Sequence, residues 1–417
     1  MIDKSKRLDE VKYEIRGPVF EMARQMEAAG KTITRLNIGN TGPFGYALPG
    51  YITDALSENL EKAQGYADTR GLTAARKSIL AQARDRGIRV TSPDNVIMGN
   101  GVSELIQMVL AALLNEGDEV LLPTPDYPLW TAATTLSSGV PVHYLCDSEN
   151  GWQPVLADIE AKITPRTRAL VLINPNNPTG AVYSPEVLKS VVEIAGRHGL
   201  LLFSDEIYDS ILFEGAKHYS TASFTGEYPC ITFGGMSKNF MMPGFRCGWM
   251  IISGNTDPLA DFIEGITKLA GMRLCANVLP QYAVPVALSQ PSPMVAMSQP
   301  GGRLERQRRI CLDFIENTEG LSSVLPKGAF YMFPKIDLQA FGYADDFELA
   351  IDMLQTTSVL IVQGTGFNWT GEAHFRIAFL PEADELEAAL SKVKARLDSR
   401  REAIAAGIPV LSEVLIA

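Results

Sequence analysis

The chain has 417 residues, of which 46% are hydrophobic and 20% charged, the composition of a soluble globular protein with enough length for two domains. Its formal net charge of −11 argues against nucleic acid or an anionic membrane as a partner, because both require a basic protein face. The five cysteines are scattered without a C-x-x-C pair, so we expect a reducing compartment and no structural zinc site.

The N-terminal stretch, residues 1–35, is predicted to be a polar helical arm in which Met22 and Met26 keep helical spacing. Residues 1–16 carry charges throughout, which argues against a signal peptide, and no apolar run in the chain is long enough to span a bilayer. We therefore expect a cytoplasmic protein. A short strand is predicted over residues 36–40, running into a glycine-rich loop.

From residue 96 onward, short apolar strands alternate with helical patterns. The predicted strands are residues 96–98, 119–123, 169–174, 200–205 and 231–233. Strands without polar alternation, separated by helices, predict a mostly parallel sheet that is covered by helices on both faces. In such sheets the reactive residues gather at the carboxyl ends of the strands.

After about residue 289 the composition changes, with proline-rich breaks followed by a charged helix over residues 303–317. Strand-like pieces follow at residues 329–333, 359–362 and 374–379, which predicts a smaller α+β module packed against the N-terminal arm. The predicted organisation is an arm and part of the small domain over residues 1–45, a large domain over residues 46–290 and the small domain over residues 291–417.

The stretch from 231 to 249, ITFGGMSKNFMMPGFRCGW, has the strongest chemical signal. Its apolar strand is broken by two glycines, which places Ser237 and Lys238 in a loop at a strand end. An ammonium group beside buried apolar residues loses hydration, so its neutral, nucleophilic form becomes more accessible. Arg246 lies between two glycines and could clamp an anion such as phosphate with its rigid two-pronged fork. Alone, the pair Ser237-Lys238 would also fit an exposed loop lysine.

Three other segments end predicted strands with polar groups. The glycine turn before Val102 and Ser103 opens a helix, where free backbone N–H groups favour a phosphate. The turn over residues 174–180 contains two prolines and points amide groups into the crevice. Asp205 and Tyr208 place a carboxylate and a phenol together, suited to a ring nitrogen and a ring oxygen. The alternative is a helix N-cap at Asp205 with a core tyrosine.

Together, in this order, a phosphate cradle, a ring-oxygen donor, a ring-nitrogen acid and a Schiff-base lysine describe a site for pyridoxal 5′-phosphate. Here the chain resembles the class I/II aminotransferases of fold type I, in particular bacterial glutamate–pyruvate (alanine) aminotransferases. The resemblance extends to about residue 395 and includes the stretches IRGPV, LNIGN, GNGVSELI, PDYPLWTAA, INPNNPTGAVYS, SDEIYD, MRLCANV and VQGTGFNW. It implies the fold-type I α/β architecture, with a mostly parallel central sheet covered by helices and a smaller α+β domain.

The resemblance also implies roles for residues around the cofactor. Lys238 would carry pyridoxal 5′-phosphate as an aldimine and act as the general acid–base, and Asp205 would pair with the ring nitrogen. Tyr208 and Asn177 would hydrogen-bond the ring hydroxyl, and Tyr127 would stack on the ring. The residues expected to hold the phosphate are Gly101, Val102, Ser103, Ser237 and Arg246.

For the substrate, the resemblance implies that Arg376 grips the α-carboxylate, with Gly39 and Asn177 beside it. An arginine within an apolar strand is costly unless paired, so an anionic partner is expected on physical grounds as well. A small side-chain pocket is expected near Gly39, Tyr127 and Trp130. Tyr66 would reach the phosphate of a neighbouring subunit, which implies a homodimer with shared active sites.

The predicted reaction is transamination between L-alanine and 2-oxoglutarate by a ping-pong mechanism, with no metal. The alternatives are an aminotransferase for a branched-chain amino acid, methionine or an aromatic amino acid, or a C–S lyase of the same fold. Two departures from the family pattern bear on this choice. Gly235 stands where many relatives have serine, so one phosphate contact is expected to be missing, and residues 40–43 (Asn-Thr-Gly-Pro) replace the usual Asn-Pro-Ala-Pro.

Overall fold

The structure, a computed structural model, describes residues 2–13, 15 and 17–408. Arg16 of the IRGPV stretch lies outside the described residues, as does the end of the predicted small domain beyond residue 408. The strands are β1 (Thr34–Arg35), β2 (Val96–Gly99), β3 (Glu119–Thr124), β4 (Val140–Asp147), β5 (Gln153–Pro154), β6 (Thr167–Ile173), β7 (Leu201–Asp205), β8 (Cys230–Gly235), β9 (Gly248–Ser253), β10 (Leu321–Ser322), β11 (Tyr331–Met332), β12 (Lys335–Ile336), β13 (Val359–Leu360), β14 (Val362–Gln363) and β15 (Phe375–Ala378).

Helices pack on both faces of the central sheet, and further helices lie near the beginning and at the end of the described chain. They are α1 (Pro18–Ala28), α2 (Gly50–Glu58), α3 (Thr73–Asp85), α4 (Val102–Leu113), α5 (Leu129–Leu136), α6 (Leu156–Ala161), α7 (Pro185–His198), α8 (Met236–Asn239), α9 (Ala260–Met272), α10 (Val284–Leu288), α11 (Pro293–Ser298), α12 (Arg303–Glu316), α13 (Leu338–Phe341), α14 (Asp346–Asp352) and α15 (Ala383–Ala405).

Within the described residues, the central sheet has eight strands in the order β2-β9-β8-β7-β6-β3-β4-β5. The run from β8 through β7, β6 and β3 to β4 is parallel. Strand β9 is antiparallel to both of its neighbours, and β5 is antiparallel to β4. The prediction of a mostly parallel sheet is therefore confirmed.

Two core clusters cover the two faces of this sheet. Leu202 of β7 packs in one cluster with Ile79 of α3 and Leu188 of α7. The next residue, Phe203, points to the opposite face and packs in a second cluster with Ile266 of α9. Because successive side chains of a strand point to opposite faces, a continuous apolar strand of this kind requires helices on both sides.

A third core cluster joins the two ends of the described chain. Val19 of α1 and Leu36 pack with Leu304 of α12 and Leu386 of α15. Strand β1 pairs with β13 in parallel, which extends the same connection through the backbone. The N-terminal arm therefore packs on the C-terminal α+β region, while the domain limits at residues 45 and 290 remain a prediction.

Three sequence-based expectations were wrong in detail. The arm is α-helical only over Pro18–Ala28. The predicted strand at residues 36–40 is displaced: the strand is Thr34–Arg35, and the following carbonyl groups of Asn37 and Gly39 accept hydrogen bonds from buried side chains instead of a neighbouring strand. Lys238 lies in the one-turn helix α8 rather than in a loop. None of the helices in the described part of the chain is both long and apolar enough to cross a membrane.

Candidate active site

A cavity of about 530 Å³ opens at the carboxyl ends of β6, β7 and β8. The parallel strands deliver their terminal residues to this edge, and the segment after β1 together with β15 closes the opposite side. The predicted site residues that line the cavity are Gly39, Val102, Ser103, Tyr127, Asn177, Asp205, Tyr208, Ser237, Lys238, Arg246 and Arg376. Gly101 lies immediately beside this wall, whereas Tyr66 does not line the cavity and is 82% exposed.

Lys238 reaches into the cavity from α8, directly after β8. Its Nζ donates to the carbonyl oxygen of Gly39 at 2.5 Å. Burial lowers the pKa of Lys238 to about 7, and the positive charges of Arg376 and Arg246 act in the same direction, while Asp205 opposes them. A larger share of the amine is therefore neutral near pH 7 than for a solvent-exposed lysine.

Asp205 ends β7 on the cavity floor. Its Oδ1 accepts a hydrogen bond from the backbone N–H of Ile207 at 3.3 Å, and its Oδ2 accepts one from Trp130 Nε1 at 3.4 Å. Burial raises the pKa of Asp205 to about 6, against these two hydrogen bonds and the charge of Lys238. No helix follows Asp205, so the alternative interpretation as a helix N-cap is wrong.

Trp130 does not line the cavity, and its expected place in the substrate pocket was wrong. The indole is fully buried behind Asp205, with its ring centroid 5.8 Å from Phe203 and 5.4 Å from Phe233. Trp130 lies in the first turn of α5, and its side chain packs into the hydrophobic core on one face of the sheet. Its contact with the site is the hydrogen bond to Asp205.

Four tyrosines surround the space above Asp205. The hydroxyls of Tyr208 and Tyr331 are 2.9 Å apart, and those of Tyr127 and Tyr13 are 3.2 Å apart. Asn177 completes this wall, and its Oδ1 accepts a hydrogen bond from Arg376 at 2.8 Å. This wall of the cavity therefore offers phenol and amide groups to a bound molecule.

The end of the cavity next to α4 is built to receive an anion. Gly101 precedes α4 with φ +79°, and a Cβ there would lie 2.3 Å from the guanidinium of Arg246. The absence of a side chain at Gly101 thus lets Arg246 approach the first N–H groups of the helix. Ser237 lines the same cavity. A positive side chain beside a helix N-terminus favours phosphate.

The packing of β8 against β9 explains the glycine at position 235. A Cβ at Gly235 would lie 2.9 Å from the carbonyl oxygen of Cys247 and 3.1 Å from the Cα of Gly248. The close approach of β8 to β9 at this point leaves no room for a larger side chain without a shift of the backbone.

Arg376 lies in β15 and is 2% exposed. Its guanidinium donates to Asn177 and to the carbonyl oxygen of Asn37, and its carbon atom lies 4.4 Å from the ring centroid of Tyr331. Among the described residues no carboxylate lies within salt-bridge distance of Arg376, and its Nε has no hydrogen-bond partner. A buried, uncompensated guanidinium indicates an anionic ligand.

Several residues that line the cavity were not predicted from the sequence, namely Tyr13, Ile15, Ile38, Ile106, Ile173, Ile207, Pro243, Gly244 and Tyr331. Asn40 also lines the cavity and belongs to the segment 40–43, which departs from the family pattern. Tyr331 had one usable signal, because it stands in a strand-like run beside other aromatic residues. Tyr13 had none, since it lies in a charged arm with no strand or helix pattern of its own.

The donor set fits pyridoxal 5′-phosphate. A partly buried amine with a lowered pKa lies in one cavity with a carboxylate, a phenol and an anion-binding helix start. These are the groups needed for the aldehyde, the ring nitrogen, the ring oxygen and the phosphate of that molecule.

Comparison with known proteins agrees with this chemistry. The family model for aminotransferase class I and II matches residues 41–393. The glutamate–pyruvate aminotransferase AlaA of Escherichia coli strain K12 is 50% identical over 391 residues, covering 94% of this chain and 96% of that protein. An alanine aminotransferase of Mycobacterium tuberculosis is 48% identical over 399 residues, covering 95% and 93%. The crystal structure of an aminotransferase from Escherichia coli superposes with a TM-score of 0.94 at 50% identity, covering 95% of this chain and 98% of that one.

Proposed function

The chain belongs to the class I and II aminotransferases, and on that premise we propose that it is an alanine transaminase that transfers the amino group of L-alanine to 2-oxoglutarate. The products are pyruvate and L-glutamate, formed in two half-reactions of a ping-pong mechanism. The names of the relatives at 48–50% identity, glutamate–pyruvate and alanine aminotransferase, support this substrate pair. The cofactor is pyridoxal 5′-phosphate, on which this family depends.

One observation carries the proposal. Arg376 is a buried cation on the wall of the cavity and Lys238 a partly buried amine on the same wall, and within the described residues neither has a carboxylate at salt-bridge distance. A buried guanidinium without a carboxylate is unfavourable unless a ligand compensates its charge. The amine of Lys238, with its pKa of about 7, is available to react with a ligand. A group that reacts with an amine and a substrate with a carboxylate would satisfy both.

We propose the cofactor contacts that the resemblance implies, which the shared cavity lining supports. The N–H groups of Val102 and Ser103, the hydroxyl of Ser237 and the guanidinium of Arg246 would hold the phosphate, with Gly101 leaving the space for Arg246. Asp205 would hold the proton on the ring nitrogen. Tyr208 and Asn177 would contact the ring oxygen, and Tyr127 would lie against the ring face. When bound, the cofactor supplies an electron sink for the charge left on the substrate's α-carbon.

Lys238 would move the proton between the substrate's α-carbon and the position that receives the amino group. A general base works best when its pKa is close to the working pH, and the pKa of about 7 at Lys238 meets that condition. The hydrogen bond to Gly39 holds the free amine on the substrate side of the cavity. Tyr13 and Ile15 of the arm line the same cavity and would shield this proton transfer from water.

Arg376 would bind the α-carboxylate of the amino acid through its guanidinium, which aligns the substrate next to Lys238. Gly39 would lie beside the substrate side chain. A Cβ at Gly39 would be 2.1 Å from the hydroxyl of Tyr331 and 2.7 Å from the ring of Phe330, so the wall here is already full. This supports a preference for a small side chain such as that of alanine.

We propose a homodimer in which Tyr66 reaches the partner's site. Tyr66, Met272 and Leu274 are large apolar residues that are 52–82% exposed. Arg273 stands between Met272 and Leu274 in the chain, and its guanidinium donates to the carbonyl oxygens of Met98 in β2 and of Thr69, three residues after Tyr66. An exposed apolar patch of this kind is typical of a subunit interface. The five free cysteines support a reducing compartment such as the cytoplasm.

Single-turnover half-reactions of the cofactor-loaded enzyme test the proposal. L-alanine and L-glutamate should convert the cofactor fastest, and leucine, methionine and aromatic amino acids more slowly. If one of the larger amino acids is faster than alanine, the alanine assignment is wrong and the enzyme is an aminotransferase for that amino acid. Release of pyruvate from cystathionine without a keto-acid acceptor would instead identify a C–S lyase.

A further inference from the structure

Tyr331 occupies a central position that the proposed contacts leave unexplained. It belongs to β11, which pairs with β15 so that Tyr331 lies opposite Ala378, two residues from Arg376. Its side chain lines the cavity and is 2% exposed. The hydroxyl lies against the backbone of Gly39, so close that a Cβ on Gly39 would collide with it. The backbone of Gly39 therefore limits the positions that this hydroxyl can take.

The hydroxyl of Tyr331 has one hydrogen-bond partner among the described residues, the hydroxyl of Tyr208 at 2.9 Å. The two rings meet edge to face, with centroids 5.7 Å apart, and both side chains are buried. A phenol hydroxyl has a single proton to donate and can accept at its oxygen. The direction of the hydrogen bond between the two therefore decides where the proton of Tyr208 points.

Arg376 makes the two phenols unequal. Its guanidinium carbon lies 4.4 Å from the ring centroid of Tyr331. Burial raises the pKa of Tyr331, and the charge of Arg376 is the largest influence opposing that rise. For Tyr208, burial raises the pKa, the hydroxyl of Tyr331 raises it further and the charge of Arg376 lowers it. Because the guanidinium of Arg376 lies against the ring of Tyr331 itself, Tyr331 is the stronger donor of the pair.

We propose that Tyr331 is a positioning residue that donates its proton to Tyr208 and so directs the hydroxyl proton of Tyr208 into the cavity. In that orientation Tyr208 donates to an oxygen on the occupant. This inference rests on the proposed function, in which that oxygen is the ring oxygen of pyridoxal 5′-phosphate. Tyr331 acts through Tyr208 and does not itself contact the ring oxygen. The other titratable groups around this pair are Arg376, Lys238, Tyr127 and Tyr13.

The absorbance of the bound cofactor reports on this hydrogen bond without any turnover. A donor to the ring oxygen stabilises the form of the cofactor with a negative charge on that oxygen, so its loss moves the midpoint of the absorbance change to higher pH. The cofactor-loaded enzyme and its Tyr208→Phe, Tyr331→Phe and doubly substituted variants are titrated side by side. Tyr46→Phe is the matched control, because the Tyr46 hydroxyl donates to Gln307 at 2.9 Å in the same core cluster but does not line the cavity.

We expect Tyr331→Phe to raise the midpoint by about 0.5 to 1 pH unit, the size of one hydrogen bond. The double variant should match Tyr208→Phe alone, since Tyr331 has no route to the cofactor once the Tyr208 hydroxyl is removed. Tyr46→Phe should titrate like the wild type. A purely structural role for Tyr331 would give shifts that add in the double variant.

Three results would overturn the proposal. The midpoint of Tyr331→Phe could equal that of the wild type, its shift could add to that of Tyr208→Phe, or the control could shift as much as Tyr331→Phe. In each case the response of the wild type and of Tyr208→Phe leaves the proposed function standing. A wild-type protein that binds no pyridoxal 5′-phosphate would overturn the proposed function and this inference together. Thermal melting of each variant confirms that it folds.

Discussion

The amine of Lys238 lies 2.5 Å from the carbonyl oxygen of Gly39, so the reactive lysine is held by a residue from the opposite side of the cavity. Gly39 offers this carbonyl at a point where a Cβ would meet the hydroxyl of Tyr331 at 2.1 Å. The same glycine therefore positions the lysine and leaves space for the tyrosine.

Gly39→Ala should slow the alanine half-reaction by about 100-fold, because the methyl group must push the segment away from Tyr331 and displace the carbonyl that holds Lys238. Gly50→Ala is the control, since a Cβ at Gly50 meets nothing within 4 Å. Single-turnover rates with L-alanine measure both variants. Equal rates for Gly39→Ala and the wild type would show that the backbone around Gly39 can move away from Tyr331 without affecting Lys238.

Lys238 should be the attachment point of the cofactor. The purified protein should be yellow, and borohydride should fix pyridoxal 5′-phosphate covalently to Lys238, as measured by peptide mass spectrometry. Lys238→Ala should lose the label and at least about 100-fold in rate, the contribution typical of a general acid–base residue. A label on a different lysine would contradict the assignment.

The rate at which cofactor-free enzyme takes up pyridoxal 5′-phosphate should depend on the lowered pKa of Lys238. Only the neutral amine attacks, and its fraction in the free enzyme falls as the pH drops below the pKa of about 7. At low cofactor concentration the rate should rise with pH up to about 7 and then level off. A rate that keeps rising well into the alkaline range would mean that the lysine has the pKa of an exposed one. Lys238→Ala, which lacks the amine, is the negative control for uptake of the cofactor.

Asp205→Ala should slow transamination by about three orders of magnitude, because the charge that keeps the ring nitrogen protonated is lost from a buried site. The matched control is Glu206→Gln, since Glu206 is also buried but accepts its hydrogen bonds from Ser204, Ser220 and Thr221 outside the cavity. Half-reaction rates and melting temperatures separate chemistry from folding. Near-normal turnover of Asp205→Ala would refute the role.

Arg376→Lys should raise KM for all amino acids alike, by about 10- to 100-fold, because an ammonium group cannot reproduce the two-pronged contact with a carboxylate. Arg308→Lys provides the comparison: Arg308 is equally buried but pairs with Glu214 at 3.0 Å. Steady-state kinetics with several amino acids decide the matter. A change in KM for only one amino acid would place Arg376 beside the side chain instead.

The positions of Asp205 and Lys238 could be predicted because Asp205 ends β7 and Lys238 follows the end of β8, and these neighbouring parallel strands end at the same edge. The helix start at Val102 followed from the glycine turn before it. In these cases the local pattern of apolar residues and glycines contains the information. Strands β4, β5 and β9 of the same sheet were not predicted.

The remainder of the site depends on contacts that local patterns do not contain. The resemblance implied a substrate pocket near Trp130, yet the first turn of α5 points the indole into the core. Tyr331 and Tyr13 meet Tyr208 and Tyr127 across sequence separations of 123 and 114 residues. Such partners follow only from the packing of the N-terminal arm and β11 against the large sheet.

The hydrogen bond from Arg376 to the carbonyl oxygen of Asn37 joins residues 339 positions apart. During synthesis on the ribosome, the lysine and its phosphate cradle are made long before Arg376, and the hydrogen bond to Asn37 can form only once β15 has been made. Contacts of such long range form late in folding. Capture of the cofactor with full affinity is therefore expected to mark a nearly completed chain, and truncated products that end before Arg376 should retain it poorly.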